Sequence, residues 1–212
     1  MEKPIYPMKV MRITQKYEEG THVGSFAIDD AGKDTGICPV FAPFTGIVKK
    51  IYPQDANEVW LESVDPVIYP DGTKDYMTML FAHSDDISNI RVGQIIKQNE
   101  EFYKEGKKGK VTGNHCHMEC GKGKFTGSGW YKNKSGYWSI NNAKKPEECL
   151  WIDESIRILD SRALVFKKIP QPISLPPVVE NTSSTPKLIF TAPKEDLYAI
   201  SLKKGDQLYI SE

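Results

Sequence analysis

The segment GNHCHMECG, residues 113–121, contains two of the four histidines in a chain of 212 residues. In a β-strand, alternate side chains project from opposite faces. One face then carries imidazole and carboxylate groups, from His115, His117 and Glu119. The other face carries small, soft or apolar side chains, namely Cys116, Met118 and Cys120. The segment therefore predicts a strand with one core face and one chemically active face.

The composition is that of a globular protein, with 39% hydrophobic and 26% charged residues. The length suits one domain of ordinary size plus a small appendage. The 28 basic and 28 acidic residues cancel, so no overall electric field attracts nucleic acid or a membrane surface. We expect neither of them as a partner.

The N-terminal segment MEKPIYPMKVMRITQKY lacks the continuous apolar region of a secretory signal. No window approaches the roughly 18 apolar residues of a membrane span. We therefore expect synthesis in the cytoplasm.

The four cysteines are widely scattered, at Cys38, Cys116, Cys120 and Cys149. In a protein made in the cytosol they are expected to be reduced and structural. A metal knuckle of cysteine and histidine around His117 would need a second ligand cluster, and the sequence has none.

Residues 1–168 have the character of many short strands. The apolar, β-branched segment at residues 36–53 is one example. At residues 58–84, two strand-like runs are separated by the turn-forming PDGT. The best helix candidate is short, at residues 146–159. This pattern predicts a mainly β protein built on an antiparallel sheet.

Three parts are predicted along the chain. Residues 1–168 form the main domain, and residues 169–186 form a linker with five prolines and a Ser/Thr cluster, which cannot make a packed core. Residues 187–212 are strand-like again but too few for an independent domain. They are expected to form a small β segment for docking, oligomerisation or anchoring.

The remaining histidines are His22, in a polar turn, and His83, at the end of an apolar run. A zinc hydrolase needs three protein ligands and an open position for water, whose pKa the metal lowers to about 7. It also needs a general base and a group that stabilises the oxyanion. Taken alone, His83 is better explained as an ordinary strand-end residue than as a catalyst, whereas a structural and a functional role fit His22 equally well. The His-x-His pair favours a metal more, since adjacent imidazoles repel when both are charged.

The order of the motifs resembles the lysostaphin-type zinc metalloendopeptidases of bacterial cell walls and phage lysins. The similar segments are GTHVGSFAIDDAG (20–32), MTMLFAHSDD (77–86) and TGNHCHMECG (112–121). The intervening APFTGIVKKI and VGQIIKQNE also resemble the family, so the likeness spans about residues 12–121. It implies a lysostaphin-type, split-barrel-like fold for residues 1–168.

The resemblance also implies site residues. His22, Asp29 and His117 correspond to ligands of one zinc ion per chain. His83 and His115 correspond to two catalytic histidines that do not bind the metal, and which of them is the general base stays open. Tyr17 matches a tyrosine that some members place near the oxyanion.

One spacing departs from the family pattern, which has the aspartate four residues after the first histidine. Phe26 occupies that position here, and Asp29 lies three residues further on. Asp30 is the alternative ligand. Strand alternation points the two carboxylates to opposite faces, so only one can face His22, and we favour Asp29.

The function implied is a peptidoglycan endopeptidase of a phage or prophage, an endolysin that acts at the bacterial cell wall after release from the cytoplasm. Its tail would dock, oligomerise or anchor the enzyme to the wall. The alternative is a non-catalytic relative that activates another hydrolase or belongs to a phage tail. A β-rich binding module with incidental histidines is the third possibility.

Overall fold

The structure is a computed structural model, and it describes residues 1–33, 36–134, 136, 138–170, 189–190 and 209–210. The chain divides into two compact units, Met1–Pro170 and Gln171–Glu212. Most of the predicted linker and most of the predicted tail lie outside the described residues. The division into domain, linker and tail therefore stays a prediction.

The first part of the chain alternates short strands with turns, and a 3-10 turn spans Gly20–His22. Its strands are β1 (Val10–Gln15), β2 (Ile28–Asp30), β3 (Pro39–Phe41), β4 (Gly46–Tyr52), β5 (Glu58–Ser63), β6 (Val67–Ile68), β7 (Lys74–Asp75), β8 (Met77–Ala82), β9 (Ile95–Ile96), β10 (Glu101–Lys104) and β11 (Cys116–Lys122).

Smaller elements follow the segment that contains the histidine pair. They are β12 (Trp130–Lys132), β13 (Trp138–Ile140), β14 (Ala143–Lys144), α1 (Pro146–Cys149), β15 (Trp151–Ile152), β16 (Arg157–Asp160) and β17 (Lys167–Lys168). In the second unit, β18 (Ile189–Phe190) and β19 (Tyr209–Ile210) pair in parallel.

A central sheet organises the first unit. Its strand order is β16-β1-β2-β11-β8-β5-β4-β9, and β14 pairs with β11 beside this path. Every pairing in it is antiparallel except that of β1 with β16. The predicted mainly β, antiparallel fold is confirmed.

The core lies on one face of this sheet, as the alternation along the strands requires. On β11, Cys116 and Met118 have no exposed surface, and Cys120 is equally buried. Their predicted role in core packing is confirmed. The thiols of all four cysteines are free and buried. A smaller cluster of Trp60, Leu80 and Ile140 packs elsewhere in the same unit.

The helix candidate at residues 146–159 is wrong for most of its length, since only α1 is helical. Leu150 is already extended, with φ −107° and ψ 143°. Beyond it, β15 pairs with β17 and β16 pairs with β1. Non-local strand pairing therefore outweighs the local helical tendency. None of the described helices has the length or apolar character needed to cross a membrane.

Candidate metal centre

The centre of the site is His117, and its neighbours follow from strand register. In β11 it lies between β2 and β8, opposite Asp29 on one side and Ala82 on the other. Asp29 thus reaches His117 across a strand pair, although the two residues are 88 positions apart. The distance between His117 Nδ1 and Asp29 Oδ1 is 2.9 Å.

His22 completes a cluster of three potential ligands. Its ring is buried at the end of the 3-10 turn, and its Nε2 lies 3.4 Å from Asp29 Oδ1. The rings of His22 and His117 meet edge to face at 5.0 Å. Ligand atoms of His22, Asp29 and His117 all lie within 4.8 Å of one another.

Asp30, the alternative ligand, points the other way. Its carboxylate is fully buried and accepts hydrogen bonds from the Tyr6 hydroxyl at 2.5 Å and from the backbone N–H groups of Arg12 and Gly32 at 2.9 and 2.7 Å. Both oxygens of this carboxylate are thus already engaged by donors of the protein. Alternation along β2 thus separates a carboxylate that faces the histidines from one that braces the core.

Electrostatics concentrate negative charge where a cation would bind. Burial opposes the ionisation of Asp29, but hydrogen bonds from His117 and His22 outweigh it and hold its pKa well below the usual range. Burial likewise opposes protonation of His117, yet hydrogen bonds to Asp29 and Glu119 raise its pKa to about 10. The two carboxylates thus favour a positive charge at this imidazole, whether it is that of a proton or of a cation bound at Nδ1.

Glu119 is a candidate site residue to which the sequence analysis gave no role. Its Oε1 lies 3.0 Å from His117 Nε2, and its Oε2 accepts the backbone N–H of Ile140 at 2.8 Å. With Nε2–H donated to Glu119, Nδ1 of His117 is the nitrogen left for a metal. A carboxylate behind a ligating histidine in this way is a recurrent feature of metal sites. The available signal was its position two residues after His117, on the same strand face.

His83 and His115 lie beside this cluster, with ring centroids 4.6 Å apart. His83 Nδ1 is 2.8 Å from the carbonyl oxygen of Lys108, and His115 Nδ1 is 3.0 Å from that of Gly113. A carbonyl only accepts, so Nδ1 is the donor in both rings and Nε2 is the basic nitrogen of the neutral form. Burial is the main cause that lowers the pKa of His83 to about 4, helped by the charge on His117.

Backbone geometry holds this pair together. His83 has φ +84°, an uncommon value for a residue with a side chain, and it directly follows β8. His115 forms two backbone hydrogen bonds with Gly106, at 3.0 and 3.1 Å. A Cβ on Gly106 would lie 2.6 Å from the backbone nitrogen of Asp85 and closer still to the carbonyl oxygen of His83. Gly106 therefore permits the close approach of the two segments.

Tyr17, the remaining predicted site residue, is not brought to the cluster. Its hydroxyl donates a hydrogen bond to Glu147 at 2.6 Å, and its ring packs edge to face on Phe26 at 5.9 Å. It is absent from the residues that line the cleft beside the histidines. The mechanism proposed below does not use it.

The residues present fit a zinc ion. Two imidazoles and one carboxylate form a ligand set found in catalytic zinc sites, with a fourth position left for water. Tetrahedral ligands at about 2.0–2.2 Å from zinc lie about 3.4 Å from one another. The separations of 2.9 and 3.4 Å between Asp29 Oδ1 and the two imidazole nitrogens are close to this value.

The cluster opens into a cleft with a volume of about 720 Å³. His22, Asp29, His83, His115 and His117 line one part of it. Its lining also includes the aromatic side chains Tyr52, Trp130 and Trp138. Five chemically active side chains and an aromatic surface thus line the same cleft. Its volume lies in the range of ligand-binding sites.

No family model matches the chain. It is 31% identical over 129 residues to Morphogenesis protein 1 of Bacillus phage B103, a match that covers 60% of this chain and 34% of that protein. The chain thus spans about a third of the length of the curated relative it matches.

Solved structures with a similar arrangement are more distant. A zinc containing peptidase from Vibrio cholerae is 19% identical with a TM-score of 0.40, over 55% of this chain and 37% of that one. The catalytic domain of lysostaphin from Staphylococcus simulans is 17% identical with a TM-score of 0.42, over 64% and 89%. A chain of the SpoIIQ-SpoIIIAH pore forming complex is 22% identical with a TM-score of 0.42, and the match covers 69% of this chain and 94% of that one.

Proposed function

We propose that the chain is a zinc-dependent endopeptidase that hydrolyses peptide bonds of bacterial peptidoglycan. The observation that supports this most directly is the convergence of His22, Asp29 and His117 within 4.8 Å, beside a second pair of histidines. Binding alone would not require the second pair. Hydrolysis needs both a metal site and groups that move protons.

In this proposal, His22 Nε2, an Asp29 oxygen and His117 Nδ1 would hold one zinc ion. When bound, it would supply a Lewis acid that polarises a carbonyl group and acidifies water. Glu119 keeps His117 in the tautomer with a free Nδ1. Asp29, ionised at neutral pH, would balance part of the charge of the ion.

His83 and His115 are the proposed catalytic residues. Each has Nδ1–H tied to a backbone carbonyl, so Nε2 is the atom that exchanges protons. One imidazole takes a proton from the attacking water. The other holds or protonates a group at the tetrahedral centre, and the proton taken from the water passes to the leaving amine before it departs. Their ring separation of 4.6 Å allows both to face the same reacting group.

A phage or prophage origin is part of the proposal and is supported by the name of the relative in Bacillus phage B103. The enzyme would be made in the cytoplasm and act on the cell wall as an endolysin. Residues 187–212 would dock, oligomerise or anchor it to the wall, behind a linker at residues 169–186.

The test is digestion of purified sacculi that differ in their cross-links, followed by mass spectrometry of the released fragments. A glycine cross-bridge, a direct cross-link between D-amino acids and a bond in the stem peptide give different new termini. We expect the release of one type of new amino terminus. This release should stop after chelation and resume when zinc is added. Release of new reducing sugar ends instead would identify a glycosidase and contradict the proposal.

A structural role in phage assembly is the second candidate, because the relative carries the name of a morphogenesis protein. Such a protein would bind walls or phage components without cutting peptides. Zinc-loaded protein that releases no fragment from any wall type, yet binds them all, would favour this role.

A further inference from the structure

The aromatic wall, defined as Tyr52, Trp130 and Trp138, has no part in the chemistry proposed above. It nevertheless lines the same cleft as the histidines. Trp138 is 62% exposed, which is unusual for the largest apolar side chain. An exposed tryptophan within a cleft indicates a surface for a ligand rather than a part of the core.

The wall is held in place by the residues beneath it. Trp130 meets Tyr52 and the fully buried Trp60 edge to face, each at 4.9 Å. The ammonium group of Lys50 lies 3.7 Å from the ring centroid of Trp130 and also donates to the carbonyl of Ser128 at 2.7 Å. These contacts cover much of Trp130. The ring of Trp138, whose centroid lies 6.1 Å from that of Trp130, is largely exposed to solvent.

A direct link joins the wall to the candidate metal centre. Trp130 is paired with Ile140 in the β12–β13 hairpin, and the N–H of Ile140 donates to Glu119. The other oxygen of Glu119 binds His117. One buried carboxylate thus sets both the orientation of a proposed zinc ligand and the position of the hairpin that carries two tryptophans.

The chemistry of the wall favours a neutral, flat-faced ligand. Gln54, Asp55 and Glu58 line the cleft near Tyr52, and they offer hydrogen-bonding groups beside the rings. Lys110 lines the same cleft and Lys50 lies over Trp130, so positive and negative groups offset one another and the lining has no strong preference for a charged ligand. A pyranose ring presents an apolar C–H face for stacking and hydroxyl and acetamido groups for hydrogen bonds. Stem peptides and their cross-bridges contain no aromatic residue that would stack there.

We propose that the aromatic wall is a subsite for a neutral N-acetylated pyranose ring of the glycan strand, stacked on Trp138. The inference rests on the proposed function, because it places the sugar at one end of the cleft and the attached peptide toward the histidines. It makes the enzyme prefer peptides that still carry their sugars over free peptides.

The test is isothermal titration of the full chain with two probes, a disaccharide-pentapeptide and the same pentapeptide without sugar. We expect the parent to bind the sugar-linked probe about three- to tenfold more tightly, as a single aromatic stacking contact allows. Trp138→Ala should remove this preference, and Trp138→Tyr, which keeps a flat ring, should retain part of it. Tyr131→Ala is the matched control, since Tyr131 is exposed on the same hairpin but does not line the cleft.

The outcomes separate this inference from the proposed function. If Trp138→Ala weakens both probes equally or neither, or if the parent shows no preference, the sugar subsite is wrong. That holds even if the parent cleaves walls. If the preference depends on Trp138 but no wall is cleaved, the subsite stands and the endopeptidase proposal fails.

Discussion

Neighbouring side chains of β11 belong to two different environments. Three side chains, those of Cys116, Met118 and Cys120, pack into the core. His117 and Glu119 face the cleft instead, where His117 lies between the carboxylates of Asp29 and Glu119 and beside the other three histidines. The two faces share one backbone and one set of strand partners. Substitutions on the core face should therefore change the free energy of unfolding, and those on the cleft face should change metal binding and rate.

The largest effect is expected for His117→Ala. Removal of one of three protein ligands should lower zinc affinity by orders of magnitude and abolish hydrolysis, while the fold persists. Elemental analysis after mild chelation, with circular dichroism as the control for folding, measures both. A variant that still holds one zinc per chain would show that the ligand assignment is wrong.

His83→Ala and His115→Ala are expected next. Each should retain zinc but lose about 10²–10⁴-fold in hydrolysis rate, the usual contribution of general acid–base catalysis. The measurement is the rate of release of peptide termini from sacculi, alongside zinc content. Near-parental lysis by either variant would make that histidine structural, and loss of zinc in His115→Ala would exchange its role with that of His117.

Glu119→Gln should have an intermediate effect. It preserves the shape but replaces one acceptor oxygen by an amide NH₂, so the side chain cannot accept from both His117 and Ile140. We expect zinc affinity to fall about 10–100-fold, as for other residues that orient a ligating histidine. Competition with a zinc indicator measures it.

The matched control is Glu62→Gln. Glu62 is also a buried glutamate in a sheet strand, and it accepts the backbone N–H of Phe125, but it touches no proposed ligand. The zinc affinity of the Glu62→Gln variant should equal that of the parent protein. Equal losses in both variants would mean that the effect of Glu119 is general destabilisation.

Met118→Ala tests the core face at the position between the two cleft residues. Met118 has no exposed surface, so truncation should lower the free energy of unfolding by about 2–5 kcal/mol. Urea denaturation measures this, and the folded protein should keep parental zinc affinity. An unchanged midpoint together with weakened zinc binding would contradict the separation of the two faces.

The smallest effect is expected from removal of residues 169–212. A chain of residues 1–168 should fold, bind zinc and cleave soluble peptidoglycan fragments like the full chain, but act more weakly on intact walls if the tail raises the local enzyme concentration. An insoluble product would mean that the tail contributes to the main domain. Equal activity on walls would exclude anchoring by the tail.

The alternation of side chains between the two faces of a strand is a local property. The sequence alone was therefore sufficient to predict which face each side chain occupies. Alternation within residues 116–120 predicted which side chains enter the core, and alternation within β2 predicted that Asp29 and Asp30 face opposite ways. The mainly β character followed from short apolar runs between turn residues. The family resemblance brought the four histidines and Asp29 together as candidates.

Register, chain path and close approach depend on contacts between distant residues, and only the tertiary structure decided them. Pairing of β11 with β2 and β8 sets Asp29 against His117, and the left-handed backbone of His83 with the bare Cα of Gly106 brings His83 to His115. Non-local pairing also limited the helix to Pro146–Cys149 and left Tyr17 with Glu147 outside the cleft. Glu119 and the aromatic wall gained their places in the same way, because hydrogen bonds and ring contacts across the sheet have no signature in a local pattern.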